Sequence, residues 1–431
     1  MNGLTASQEM WLRSGLTIVG IWIGGFIVLF TLGWILSRVT LVAVGRSQGE
    51  TIGSSERLVR SIYRGVIFLT SIYFYISIPI LVLVVIGVAL AVLYFLYLAI
   101  TTARRVSIRG VLILGALALS MLYTVFEVVS SLFVREREIE PGRPLSKDEA
   151  PQLWALTQEV AQRVGTRPVD AIYLTPGTEI AVTERGDFMT KLRDTGQRYL
   201  ILGLGVLPDM TQGQFKAILA HEYGHFSHRD TAGGDLAFLV QRSIYQMAYG
   251  LAMNGLARWY NPAWLFVNGY HRVFIRITLG ASRLQEILAD RYAAMAYSAQ
   301  NFIDGLKHVV RQNLIFNLQF DRERKAAEVQ QRKMANFYTL PPLDGEAQKT
   351  FERYFTEIMK RPTTSHDSHP ALKDRIWLVE NLSTPEPDNS SAMALDLLPV
   401  ESLQAEMSEH LRQMVHLQNH RFRSQIGAQR V

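Results

Sequence analysis

Two histidines four residues apart, with a glutamate directly after the first, are the side chains of this 431-residue chain best placed to do chemistry: His221-Glu222-Tyr223-Gly224-His225. On a helix, positions i and i+4 share a face, so both imidazoles can reach one ion at about 2.0–2.1 Å without distorting the backbone. Glu222 then stands beside the open coordination position. There it can take a proton from a water whose pKa the metal lowers toward about 7, and later hand one to a leaving amine. The competing reading is a helix with two unrelated exposed histidines, because three fixed positions in five recur by chance. The apolar lead-in Ala217-Ile218-Leu219-Ala220 weighs against it, since a catalytic metal needs a dry, packed support. His228 and Asp230, just beyond, read as helix-terminal residues rather than ligands.

A catalytic zinc ordinarily has three protein ligands plus water, so a third ligand is required. The chain has no cysteine, which excludes thiolate zinc sites, disulfide frameworks and cysteine nucleophiles and leaves His, Glu or Asp. About 60 residues on, Ser282-Arg283-Leu284-Gln285-Glu286-Ile287-Leu288-Ala289-Asp290 sets two carboxylates at i and i+4 in an otherwise apolar turn. Buried carboxylates are costly unless paired or metal-bound. Glu286 as ligand, with Asp290 accepting the outer N–H of a ligating histidine, relieves both. An exposed acidic face paired with Arg283 or Arg291 is the plainer alternative. A third element, His366-Asp367-Ser368-His369-Pro370 followed by Arg375, offers donors for the negative charge that develops on a substrate carbonyl oxygen. Against that, His369-Pro370 can cap a helix and Arg375 can pair with a structural carboxylate.

These residues need elements to hold them. Thr211 is the expected N-cap of the histidine helix, with Phe215, Ile218, Leu219 and Phe226 as its apolar face. Upstream, Ser146 and Glu149 have capping-box spacing before Leu153, Leu156, Val160 and Val164, and Gly165 ends that helix. Strands are expected at Ala171 to Leu174 and Arg198 to Leu204, with a further one at Ile180-Ala181-Val182 between them. A small sheet ahead of a metal helix is where a peptide substrate could add as an extra strand, read through its backbone. Residues 321–361 form a charged helical excursion, 383–391 a linker, and 400–421 an amphipathic helix.

The N-terminal third is apolar. Leu16 to Leu36 carries no charge and is long enough to cross a hydrocarbon core of roughly 30 Å. A cleaved signal peptide fits less well, with one preceding basic residue, Arg13, and no small-x-small site after Trp34. Val66 to Ala103 is uncharged and too long for one perpendicular span; a single tilted helix kinked near Pro79 is preferred to a hairpin turning near Gly87, whose turn would leave backbone groups unpaired in lipid. Gly110 to Val134, interrupted by Glu127, closes on Arg135-Glu136-Arg137-Glu138. With three spans the loop from Ser37 to Gly65 and everything after Val134 lie on one side; that loop holds Arg38, Arg46, Arg57, Arg60 and Arg64, against Arg13, Arg104, Arg105 and Arg109 on the opposite side, so the positive-inside rule predicts a cytosolic catalytic part. The formal charge of +6 therefore reports topology; it forms no dense patch and gives no case for nucleic-acid binding. Residues 236–280 are apolar but broken by Arg242, Arg258, Asn261-Pro262, His271 and Arg272, and suit membrane-embedded or core-covering helices equally.

The expected fold class is mainly α with a small β-sheet: transmembrane helices over 1–140, a metallopeptidase domain over 141–380, and a linker with a C-terminal helix over 381–431. From about Pro141 to Arg375 the chain resembles the HtpX and CAAX prenyl protease superfamily of membrane zinc metallopeptidases, through His221-Glu222-x-x-His225, Glu286-x-x-Ala289-Asp290 and His369-Pro370 with Arg375. The resemblance implies a gluzincin-type domain binding one Zn2+ through His221, His225 and Glu286. It further implies Glu222 as base, Asp290 supporting a ligand, and His369 and Arg375 in the later motif. It also implies an endopeptidase of a bacterial inner membrane, facing the cytosol, acting on polypeptides such as misfolded membrane proteins. Where family members often show an Asn-Ala-Phe-like run, this chain has Ile180-Ala181-Val182. Its N-terminal apolar region is also larger than the family's helical hairpin, and prenyl-protein processing is not implied. A receptor or scaffold with a degenerate zincin domain is the alternative from another class. A transporter would need intramembrane ionisable groups, and Glu127 is the lone one in the first three apolar runs.

Overall fold

The structure, a computed structural model, describes residues 6–44, 54–102, 107–133, 140–186, 195–227, 234–364, 367–388 and 390–428. Three long helices come first: α1 (Ala6–Val44), α2 (Ser54–Thr102) and α3 (Ile108–Ser131). Strand β1 (Arg143–Pro144), helix α4 (Pro151–Val164), strands β2 (Ala171–Thr175), β3 (Ile180–Arg185) and β4 (Gln197–Gly203), and helix α5 (Gln212–Ser227) follow. The chain continues through α6 (Gly234–Met253), α7 (Pro262–Tyr297), α8 (Ala299–Val329), α9 (Gly345–Lys360), α10 (Leu372–Val379) and α11 (Val400–Ala428). The fold is thus mainly helical with one small sheet. Arg46, Arg104, Arg105, residues 135–138, His228, Asp230 and His366, all weighed above, lie outside the described residues.

Two compact units share this chain. The first holds α1, α2, α3, α6 and the part of α7 up to residue 282. Among the described residues, three of its segments are long and apolar enough to cross a membrane: Arg13–Leu36, Ser61–Thr102 and Ile108–Ser131. A helix suits that solvent because it pairs its backbone groups internally. α2 runs without a break through Pro79 and Gly87, so the single long helix is what forms. Residues 236–280 become two helices, α6 and the start of α7. Asn261 closes the turn between them: its Oδ1 accepts from the Ala263 amide at 3.0 Å, ahead of Pro262 in the first turn of α7. The same side chain donates to Thr124 Oγ1 at 2.9 Å and to the Leu256 carbonyl at 3.1 Å, which satisfies a polar group that is 1% exposed. Phe74, Leu81 and Met121 pack there with Val240, Met247 and Phe274.

The second unit contains the sheet, α4, α5, the rest of α7 and α8 to α11. Strand order is β1-β2-β4-β3, with β2 parallel to β4 and β3 antiparallel to it, so β3 is an edge strand. Leu153, Val160, Leu174, Leu200, Leu202, Phe215, Leu219 and Phe302 form the core beneath it. One expectation shifts. α4 begins at Pro151 rather than after Ser146, because proline at the first helical position resets the start. Ser146 still accepts from the Glu149 amide at 3.2 Å, but the Glu149 carboxylate goes to Arg143 at 2.6 Å instead of back to a cap. Gly165, at φ 75°, ends α4 in the left-handed conformation as its position predicts.

Candidate metal centre

Helix α5 starts from a reciprocal cap. Thr211 Oγ1 accepts from the Gln214 amide at 3.2 Å and Gln214 Oε1 accepts from the Thr211 amide at 3.1 Å. Phe215, Ile218 and Leu219 are buried, while Phe226 is partly buried and lies under the Arg198 guanidinium at 4.7 Å. This anchoring fixes the direction in which His221 and His225 leave the helix.

The second half of the site depends on a close approach. A Cβ on Gly224 would stand 3.3 Å from Ala289 Cα and 3.4 Å from Ala289 Cβ, so α5 and α7 meet backbone to backbone between the two small residues. Glu286 lies one turn before that contact and Asp290 just after it. Through this crossing the structure brings His221, His225 and Glu286 together, with one possible ligand atom from each lying within 4.8 Å of the others. His221 Nε2 is 3.4 Å from Glu286 Oε2 and His225 Nε2 is 3.6 Å from Glu286 Oε1. A tetrahedral ion with bonds of about 2.0–2.1 Å separates its ligand atoms by roughly 3.3 Å, so the spacing fits a bound metal. The donor set fits as well. Glu286 Oε2 is buried with no hydrogen-bond partner among the described residues, and Arg375 Nη2 stays 3.6 Å from it. A carboxylate oxygen left in that state calls for a cation.

Behind these atoms lies a row of charges. His221 Nδ1 is 2.9 Å from Asp290 Oδ1, the outer-nitrogen contact expected of Asp290. Asp290 in turn accepts from Arg375 Nε at 2.8 Å and Nη2 at 2.6 Å. Of the two readings of Arg375, a donor to a substrate carbonyl or a partner of a structural carboxylate, the contacts are those of the second, with Nε and Nη2 on buried Asp290. Its guanidinium and the His221 ring both lie against Phe302, at 6.0 and 5.8 Å. His369 differs, with a side chain 61% exposed and Nδ1 2.9 Å from Glu286 Oε1. The loop bearing His369 is tied down where buried Arg283 donates to the Asp367 carbonyl at 2.8 Å. Ile180, Ala181 and Val182 lie on β3, and the Val182 amide donates to Glu222 Oε2 at 3.4 Å.

Protonation follows from this packing. Burial opposes charge on His221, but the contacts with Asp290 and Glu286 outweigh it and raise its pKa to about 10. Burial, joined by repulsion from His221, pushes His225 down to about 4. For Glu286, burial is overcome by His221 and His369, and its carboxyl is held well below the usual range. Asp290 is likewise lowered, burial being overcome chiefly by Arg375. Glu222 goes the other way, because burial raises it and the opposing attraction of His221 is smaller. Two neighbouring carboxyls with pKa values pushed apart have the pattern of one anionic ligand and one proton carrier.

Asp290→Asn should separate support from ligation. The amide keeps the shape but no longer attracts Arg375 or the outer nitrogen of His221, so metal affinity is expected to fall by about 10–100-fold. Chelator competition measures the affinity, and an unchanged value would leave Asp290 with a folding role only.

Sequence comparisons place the site within a matched region. The pattern of peptidase family M48 matches residues 173–383. The chain is 26% identical to a "Protease HtpX homolog" of Sulfurihydrogenibium over 254 residues, 56% of this chain and 77% of that protein. It is 27% identical to the HtpX homolog of Trichormus variabilis over 117 residues, 25% of this chain and 38% of that protein. The HtpX homolog of Aquifex aeolicus is 28% identical over 117 residues, 25% of this chain and 36% of that protein. The chain thus spans well under half the length of some of these relatives. No solved structure matches. At these low identities the matches support an HtpX-like member of the M48 zinc metallopeptidases.

Proposed function

We propose that this HtpX-like membrane protein is a zinc-dependent endopeptidase, with His221, His225 and Glu286 holding one ion and Glu222 as general base. The observation that carries the reading is the convergence of three ligand atoms within 4.8 Å at the crossing of α5 and α7, with Glu222 on the same helix as two of them. When bound, the ion supplies Lewis acidity, bringing a coordinated water toward a pKa of about 7 and polarising a carbonyl.

The chain's own groups do the rest. Glu222 Oε1 is 3.9 Å from His221 Nε2, beside the ligand set, and its raised pKa suits a carboxylate that accepts a proton and returns it to a leaving amine. Asp290 and Arg375 hold His221, and His369, exposed on the solvent side, is available to donate to the carbonyl oxygen. The edge of β3 would hold the substrate. The Gly203 amide pairs with the Glu179 carbonyl at 2.6 Å and the Gly205 amide with the Gly177 carbonyl at 2.8 Å, so odd-numbered residues face β4. Ile180, Val182 and Glu184 then present their backbone groups at the free edge, in keeping with the Val182 amide reaching Glu222. Backbone pairing there ignores side-chain identity and favours unfolded polypeptides, including misfolded membrane proteins.

Topology follows the same line. The excess of arginines in the loop between α1 and α2 supports a cytosolic catalytic part under the positive-inside rule, and the membrane proposed is a bacterial inner membrane. The layout proposed is a membrane region over 1–140, a peptidase domain over 141–380 and a C-terminal helix beyond 381.

Detergent-purified protein is expected to contain one zinc per chain and to cut a casein-like substrate. Stoichiometric zinc without cleavage of unfolded or membrane substrates would favour a binding role instead.

A further inference from the structure

We propose that Arg272 and Arg276, on the side of α7 that borders α1, bind the headgroup of an anionic phospholipid in the leaflet where α1 ends. Both belong to the first unit, with α1 and α2. Neither takes part in the metal centre, and the assignment needs only the membrane region, not the hydrolase reading.

The register of α1 against α7 sets their depth. A Cβ on Gly269 would stand 3.2 Å from the Phe26 ring, and a Cβ on Gly33 2.7 Å from Ile277 Cγ1, so the two helices run side by side in the same direction, 26 with 269 and 33 with 277. Arg272 and Arg276 therefore stand beside residues 29–32 of α1, within the apolar span Arg13–Leu36. At about 1.5 Å per residue they lie roughly 10 and 6 Å short of its end. A guanidinium at that depth is costly unless it snorkels outward or finds an anion. The Arg276 guanidinium lies over the Phe30 ring at 5.5 Å, and the Arg38 guanidinium over the Trp34 ring at 4.6 Å. Phe30, Trp34 and Arg38 follow one another at i+4 on one face of α1, so the strip between the helices alternates exposed rings with positive charge.

What the strip lacks is an acid. Among the described residues no carboxylate comes within ion-pair distance of Arg38, Arg272 or Arg276. Glu127, the one carboxylate of this unit whose side chain is described, faces α6 instead, where a Cβ on Gly250 would stand 2.8 Å from its Oε2. Arg272 is exposed beside Ile27 and Phe30, which are exposed as well, so the surroundings it meets are the lipid around α1. There the anion at hand is a headgroup phosphate, and two guanidiniums one helical turn apart can share it. A zwitterionic headgroup brings its own cation to the same place, whereas an anionic one leaves both arginines compensated. Charge complementarity thus selects the anionic lipid.

The test titrates the full chain, purified in a neutral detergent, with phosphatidylglycerol or phosphatidylcholine of identical acyl chains and counts bound lipid by native mass spectrometry. Wild type is expected to bind phosphatidylglycerol the more tightly. Arg272→Gln should weaken that lipid by about fivefold, and Arg272→Gln with Arg276→Gln by roughly 25-fold, as fits about fivefold for each arginine near a lipid surface. Phosphatidylcholine binding should stay as it is in both. Arg109→Gln, at the exposed start of α3, should bind both lipids as wild type does, and inorganic phosphate in excess should not displace the phosphatidylglycerol. Equal affinity of wild type for the two lipids, an unaltered phosphatidylglycerol affinity in Arg272→Gln, an equal loss in Arg109→Gln, or displacement by inorganic phosphate would each overturn the assignment. Because Arg276 is half-buried against Phe30, the change at exposed Arg272 decides the matter alone should the double variant not fold.

Discussion

Glu222→Gln is expected to retain its full complement of zinc and to lose turnover by about 10²–10⁴-fold, the contribution typical of a positioned general acid–base group. The reason is geometric. Glu222 is outside the set of atoms that could hold an ion, with Oε1 3.9 Å from His221 Nε2, against 3.4 Å for Glu286 Oε2. Glutamine keeps the side chain's shape and can still take the Val182 amide through its oxygen, but it cannot accept and return a proton at working pH. The loss should therefore appear in kcat with KM little altered, because ground-state binding along β3 is untouched. Metal analysis and steady-state cleavage of a casein-like substrate on the same sample check both halves. Turnover within tenfold of wild type would remove Glu222 from the role of base.

What the sequence made visible and what it hid divide along contact range. His221, Glu222 and His225 could be read because i and i+4 on a helix is a local rule. Glu286 followed from elimination: with no cysteine, a carboxylate pair in an apolar turn needs a partner or a metal. The Thr211 cap and the left-handed Gly165 were likewise local. The use of Arg375 was not. Its partner Asp290 is 85 positions away, and a lone arginine carries no mark of whether its fork will meet a substrate or a buried acid. The Gly224–Ala289 contact was also hidden, since a small residue on each of two helices signals a crossing only once their axes are known. Phe302, packed on His221, had no signal beyond being apolar. At α4 two local rules competed, and Pro151 overrode the spacing of Ser146 and Glu149.

Removing a ligand should have the complementary effect. Glu286→Ala and His225→Ala are each expected to weaken zinc binding by more than the about 10–100-fold assigned to a supporting group, because each removes a donor atom and not merely its orientation. Glu286→Ala should be the more severe of the two. Its carboxylate contributes the only negative charge in the ligand set, and it is also the acceptor for His369 Nδ1 at 2.9 Å and a neighbour of both His221 and His225. With it gone, two imidazoles remain beside Arg375, whose positive charge disfavours a cation and is offset by Asp290 and, more weakly, Glu222. Glu286→Gln should fall between alanine and wild type, since a neutral oxygen still reaches the ion position but brings no charge to it. Circular dichroism and size-exclusion profiles compared with metal-stripped wild type separate loss of zinc from loss of fold. If Glu286→Ala bound zinc as tightly as wild type with its fold intact, the third donor would have to be sought elsewhere, and the crossing of α5 and α7 at Gly224 would no longer explain how the site is built.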